Sequence, residues 1–248
     1  MGTYLITGAT GGIGTAVAGL LRDKGHDLIL SGRSPERLAD LAETLRKGAH
    51  ARTQAFHVGS GGAPAAGPGI TTLPLDLTEP RRLEARLVAA GPPGRLDGLI
   101  HAAGVVHLGT VGELEADDWL DHVTVNLVSA AELTRLLLPA LRAASGDIVF
   151  VNSTAGLRAN PGWSAYAASK AGLRSLADAL RAEEADVRVT TVFPGRTASR
   201  MQESVRAQEG RSYDPSDYAS AETVAKVLVS ALEAPRDAVV AEVSVRPH

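Results

Sequence analysis

Tyr166 and Lys170 stand four residues apart in Ser164-Ala165-Tyr166-Ala167-Ala168-Ser169-Lys170, a helix-prone stretch in which positions i and i+4 share a face. The chain has four tyrosines, and its 25 basic residues are 21 arginines and four lysines. A Tyr-x-x-x-Lys pair then arises by chance roughly 0.06 times in a chain of this length. A free phenol has a pKa near 10, and bringing it near 7 takes about 4 kcal/mol of added stabilisation of the phenolate. One ammonium about 4 Å away at an effective dielectric near 20 supplies roughly that amount. Lys170 is therefore expected to tune Tyr166 as a proton donor and acceptor. Ser153 lies at the end of the apolar run 148–152, where its hydroxyl can donate to an oxygen that gains negative charge. The plainer alternative for Tyr166 and Lys170 is an exposed pair on a surface helix.

A second constellation opens the chain. Thr7-Gly8-Ala9-Thr10-Gly11-Gly12-Ile13-Gly14 follows a short apolar run and precedes a helical stretch from 15 to 24. Glycines let the backbone approach a pyrophosphate with no Cβ in the way, and a helix start offers free N–H groups and the positive end of a dipole. Gly8, Thr10, Gly11, Gly12, Ile13 and Gly14 are thus candidate phosphate-side contacts. The next strand end reads Ser31-Gly32-Arg33-Ser34, with no carboxylate between Asp27 and Glu36. A dinucleotide fold that selects NAD commonly has a carboxylate there, whereas a planar guanidinium suits a 2′-phosphate. Arg33, assisted by Ser31 and Ser34, therefore predicts NADP(H) over NAD(H). Packing of helix on strand is the bland reading of the glycines, and a solvated side chain that of Arg33.

The elements that must position these groups come from periodicity. Apolar runs at 4–7, 28–31, 71–75, 98–102, 148–152, 187–193 and 238–243 are four to seven residues long, as expected of strands buried on both faces. Helical patterns alternate with them. Leu38, Leu41, Ala42 and Leu45 share one helical face, as do Val125, Val128, Leu133, Leu136 and Leu137. Strands alternating with helices imply right-handed crossovers. The expectation is α/β: a single-domain Rossmann-type doubly wound parallel sheet of about seven strands, with helices on both faces, over 1–248. Residues 48–69 break the rhythm with six Gly, six Ala and two Pro. Within them 51–58 competes with 71–75 as the third strand; 71–75 is preferred because it runs into Leu75-Asp76-Leu77-Thr78, and 59–69 reads as a mobile surface loop.

Composition closes off other classes. At 248 residues the chain can bury a core without staples. It has no cysteine, hence no disulfide framework, thiolate metal site or cysteine nucleophile. The seven histidines form no His-x-x-x-His pair, so no metal site is expected. A net charge of −3 lacks the basic footprint of a nucleic-acid binder. No apolar run approaches a membrane span, and the start does not read as a signal peptide, so a cytoplasmic location is expected.

Taken with Asp76, Ala102-Ala103-Gly104, Asn126 and Pro194-Gly195, these motifs make the chain resemble the short-chain dehydrogenase/reductase family over nearly its whole length. The resemblance implies a catalytic tetrad of Asn126, Ser153, Tyr166 and Lys170. Tyr166 would be the general acid in reduction, Lys170 would hold the nicotinamide ribose, and Asn126 would anchor a water at a helix distortion in a proton relay. Asp76 and Leu77 would meet the adenine, and Ala102, Ala103 and Gly104 would pass under the cofactor. Pro194, Gly195, Thr197 and Ser199 would lie on the nicotinamide side. His101 stands where the family often has Asn and reads as structural. The glycine turn lacks the basic residue that NADP-preferring members often carry, so the cofactor assignment rests on Arg33.

The polar segment 197–220 reads as a substrate lid. Met201, Gln202, Trp163, Leu157 and Arg158 are candidates to touch substrate, with plain packing as the alternative; Arg158 and Arg200 leave an anionic group on it open. The leading function is an NADP(H)-dependent oxidoreductase passing hydride between nicotinamide and a ketone, aldehyde or secondary alcohol. The rivals are a non-catalytic nucleotide-sensing regulator, which needs the glycine turn but not the acid, and an epimerase, which usually needs a larger C-terminal region. The family likeness further suggests a homotetramer or homodimer built on the helices of Asn126 and Tyr166, with Ala167, Ala168, Ala171 and Ala177 permitting close approach.

Overall fold

The structure is a computed structural model that describes residues 1–56 and 68–248, with the side chains of 49–56 left aside. Among the described residues seven strands form one sheet in the order β3-β2-β1-β4-β5-β6-β7, and every pairing is parallel. They are β1 (Thr3–Thr7), β2 (Asp27–Gly32), β3 (Ile70–Pro74), β4 (Gly98–His101), β5 (Asp147–Val151), β6 (Arg188–Pro194) and β7 (Glu242–Val245). The helices are α1 (Gly12–Asp23), α2 (Pro35–Phe56), α3 (Leu83–Ala90), α4 (Ala116–Val123), α5 (Ser129–Ala144), α6 (Ser164–Glu183), α7 (Arg200–Gln208) and α8 (Ala221–Leu232).

Strand alternation divides the core in two. Val149 and Val151 of β5 join Val17 and Leu21 of α1 and Val224 and Leu228 of α8 on one side of the sheet. Ile148 and Phe150 turn to the other side, against Leu133 and Leu137 of α5 and Leu173 of α6. Successive strand residues point to opposite faces, so central strands flanked by helices are apolar throughout. The order reverses between β1 and β4, and the strand carboxyl ends at that reversal open the crevice where open α/β sheets bind ligands.

The preferred third strand holds, and two other expectations need correction. Residues 51–56 continue α2 rather than forming a strand, and 70–74 pairs with β2 as the third strand; the expected loop at 59–69 falls mostly on residues outside those described. The seventh strand begins at Glu242, four residues beyond the expected start at 238. Val239 is 45% exposed, and arginine side chains donate to the carbonyls of Ala238 and Ala241, so 238–241 lead into the strand without forming part of it. Val128, placed on a buried face by the 3.6-residue period, is 42% exposed. The cause is a π-helical turn at Thr124–Val128 between α4 and α5, whose wider turn shifts the phase of the face.

Among the described residues, the continuous helical run Ala116–Ala144 has the length and apolar character of a membrane span by composition alone. Its Leu133, Leu137 and Leu141 are spent in the core, as in the central helix of a packed α/β sheet.

Candidate active site

Along the strand carboxyl ends lies a cleft of about 840 Å³. At its floor Gly8 adopts φ +62°, and a Cβ there would lie 2.7 Å from the Ala102 carbonyl oxygen and the Ala103 backbone. A Cβ on Gly14 would run into the Gly8 carbonyl. Only glycine lets this turn close against the end of β4. Helix α1 begins at Gly12, three residues earlier than expected, so the last glycines form its first turn. That end has no side-chain cap and no acidic residue, which leaves N–H groups open to an anion. A dinucleotide diphosphate fits this cradle.

At the end of the cleft beside β2, Arg33, Ser34 and Asp76 form the lining. Ser34 is occupied: its hydroxyl donates to Glu36 (2.7 Å) and accepts from the Arg37 amide. Arg37 also lines the cleft and donates to the Thr10 carbonyl at 3.0 Å. The basic residue absent from the glycine turn is thus supplied by α2. It stands four residues after Arg33, which precedes α2, and no local pattern shows that it reaches the glycine turn. Asp76 accepts from the backbone amide and hydroxyl of Thr78, and its carboxyl sits below the usual range mainly through the Thr78 amide.

At the other end Ser153, Tyr166 and Lys170 line the same cleft from the end of β5 and from α6. Tyr166 and Lys170 are 7% and 3% exposed. Lys170 Nζ donates to the Val151 carbonyl (3.0 Å) and lies 5.9 Å from the centre of the Tyr166 ring. Burial pushes the Tyr166 phenol above its ordinary value, and the Ser153 hydroxyl pulls it partly back. Burial also lowers the Lys170 ammonium to about 8. Burial outweighs the bond from Ser153, and Lys170, bonded to the Val151 carbonyl, does not set that direction. The phenol keeps its proton at neutral pH.

Asn126 stands apart from the other candidates. It sits in the π turn, 2% exposed, behind the cleft rather than on its wall. Its Oδ1 accepts from the Val105 amide (2.9 Å), and its Nδ2 donates to the Val105 carbonyl and to Ser169 Oγ, each at 3.0 Å. It therefore clamps the segment that follows Gly104. A Cβ added to Gly104 would lie 3.2 Å from Asn126 Oδ1 and 3.6 Å from Lys170 Nζ. His101 is buried, bonded to Thr134 Oγ1 (2.9 Å) and stacked on Phe150. Burial, with Lys170 nearby, lowers its pKa to about 3.

Every other candidate site residue lines the cleft: Gly8, Thr10, Gly11, Gly12, Ile13, Gly14, Ser31, Leu77, Ala102, Ala103, Gly104, Pro194, Gly195, Thr197 and Ser199. The hydroxyls of Thr197 and Ser199 donate to the Gly195 and Thr197 carbonyls, and Ser199 caps α7. Trp163, Arg200, Met201 and Gln202 also line it, whereas Leu157 and Arg158 do not. Arg196 was not foreseen. It lies over the Trp163 ring at 5.7 Å and is bound by Glu209; a contact between the end of β6 and the end of α7 has no local sequence signal.

A family model described as short chain dehydrogenase matches residues 3–210. An uncharacterized oxidoreductase of Listeria monocytogenes is 29% identical over 254 residues, covering 98% of this chain and 95% of that protein. Another, from Staphylococcus aureus, is 26% identical over 247 residues, covering 98% and 96%. The short-chain dehydrogenase of Sphingobium yanoikuyae, solved in complex with NADPH, superposes with a TM-score of 0.79 at 25% identity, over 98% of this chain and 87% of that one. The alcohol dehydrogenase of the archaeon Thermococcus sibiricus, complexed with 5-hydroxy-NADP, shares the fold with a TM-score of 0.82 at 23% identity, over 100% and 97%.

Proposed function

The chain belongs to the short chain dehydrogenase family and is an oxidoreductase of that family; from that premise we propose that it is an NADP(H)-dependent carbonyl reductase or alcohol dehydrogenase acting on a small-molecule ketone, aldehyde or secondary alcohol. The reading takes 1–248 as one dinucleotide-binding and catalytic domain, with 197–220 as its lid. It is carried by one observation: Ser153, Tyr166 and Lys170 meet the glycine turn in a single cleft. Arg33 and Arg37 at its far end favour a 2′-phosphate, in keeping with the NADPH bound by the Sphingobium relative.

When bound, the nicotinamide supplies or accepts the hydride. Ser153 donates to the carbonyl oxygen as negative charge gathers there, and Tyr166 delivers its proton to the same atom. Burial keeps that proton in place at neutral pH, which suits reduction; the reverse reaction gains as pH rises and the phenol ionises. Lys170 would hold the ribose hydroxyls of the bound cofactor, and Asn126 behind it would anchor a water on the route by which the proton is replaced. The exposed Val128, and Ala168 and Ala171 on the outer side of α6, suit a homotetramer or homodimer. Ala167 and Ala177 are buried within the subunit.

NADPH oxidation against a panel of ketones tests the function, with Tyr166→Phe beside the parent. Removal of a general acid costs about 100-fold or more in kcat. A variant as active as the parent would sink the mechanism.

A further inference from the structure

Among the described residues only two buried side-chain nitrogen or oxygen atoms lack a hydrogen-bond partner, Arg22 Nε and Gln202 Nε2. The first belongs to a guanidinium whose other nitrogens bind the Leu45 carbonyl and Asp23. Gln202 has no such excuse: it is 6% exposed and lines the cleft. We propose that its carboxamide is a specificity-determining donor for a ketone carrying a second, uncharged oxygen a few bonds from the reacting carbonyl, such as a 3-oxo ester; this rests on the reductase reading above.

Helix α7 holds the donor in place. Its start is capped by Ser199, which accepts from the Gln202 amide (3.2 Å). Its end is pinned by Gln208, which accepts from the Leu108 amide (2.8 Å), and by Glu209 between Arg196 and Arg206. The backbone therefore cannot drift to find Gln202 a protein partner, while the soft terminal torsion lets the amide turn toward the cleft. Val205 lies on the same helical face one turn on and packs in the apolar cluster of Tyr166, Trp163 and Val106. A substrate with its carbonyl at Ser153 and Tyr166 then meets an apolar wall followed, about 4.5 Å along the helix, by one donor. The charge of Arg196 is already answered by Glu209, and Arg200 is exposed at the mouth, so the partner that Gln202 selects is neutral.

The test compares Gln202→Leu with the parent on ethyl acetoacetate, on 2-heptanone (which keeps the chain but lacks the second carbonyl) and on the acetoacetate anion. The preference for ethyl acetoacetate over 2-heptanone, as a kcat/KM ratio, should fall at least about tenfold. The NADPH dissociation constant should move less than about threefold, and the Tm of the ligand-free variant should be no lower than the parent's, because an unpaired buried donor has been removed. A Tm several degrees lower with the preference intact would make Gln202 a packing residue and overturn the proposal. So would a tenfold loss of NADPH affinity at constant preference, or a dependence on Gln202 shown by the anion and not the ester. Should the parent reduce neither ketone, the reductase reading fails by itself. Calorimetric binding of ethyl acetoacetate to the NADPH complexes of both proteins then still decides the role of Gln202, equal affinities overturning it.

Discussion

On the NADP(H) reading proposed above, replacing Arg33 and Arg37 with alanine, singly and together, should leave a protein that barely distinguishes NADPH from NADH. Both guanidinium groups line the adenosine end of the cleft, and both residues are exposed. A unit charge about 4 Å from a phosphate charge is worth about 1 kcal/mol in water and about 4 kcal/mol at an effective dielectric of 20. Exposure puts each arginine near the lower end, at about 1–2 kcal/mol, which is about 5- to 30-fold in affinity. NADH binding subtracts everything except the 2′-phosphate, so the quantity to measure is the ratio of NADPH to NADH dissociation constants, by fluorescence titration. Arg33→Ala should change the ratio alone. Arg37→Ala should also weaken NADH somewhat, because its Nη2 braces the Thr10 carbonyl. Raising the salt from 0.1 to 1 M shortens the screening length from about 10 to about 3 Å and should erode the parent's preference but not the double variant's. A ratio unmoved within twofold in the double variant would refute the assignment of this end of the cleft to a 2′-phosphate.

Three further outcomes follow from the geometry. Gly8→Ala should cost about 1–3 kcal/mol in denaturant unfolding and most of the NADPH affinity, since a side chain at φ +62° is strained and its Cβ meets the β4 end at 2.7 Å. Buried His101, with a folded pKa of about 3 against about 6.5 unfolded, binds its proton only in the unfolded chain between those values. Stability is therefore lost as pH falls from 6.5 toward 3, by about 1.4 kcal/mol per pH unit from this group, and His101→Asn should flatten that part of a stability–pH curve. Lys170 shows the opposite flank. Its folded pKa of about 8 lies below its unfolded value, so its burial penalty is complete below pH 8 and is relieved as pH rises from 8 toward 10.4. Lys170→Met should accordingly raise Tm at pH 7 while abolishing turnover; a lower Tm at that pH would show that the bond to Val151 outweighs the buried charge.

Repeating local patterns were legible in the chain itself. Continuous apolar runs announced β4 and β5, the glycines announced a turn that only glycine can make, and Tyr166, Lys170 and Ser153 announced a proton-transfer site, because strand period, helix period and backbone freedom are properties of neighbouring residues. What lay beyond reach depends on where distant segments cross. The π turn that exposes Val128 and sets Asn126 behind the cleft is the helix distortion that the family likeness implied but the residue period alone missed. Arg37 reaches the glycine turn, and Arg196 reaches Glu209, only because the fold brings those segments together. The phenol of Tyr166 is raised because burial outweighs the hydrogen bond from Ser153. Spacing can name an acid and its neighbour. The solvent excluded around them, and the partner that each buried polar atom finds or lacks, are fixed only when the chain is folded.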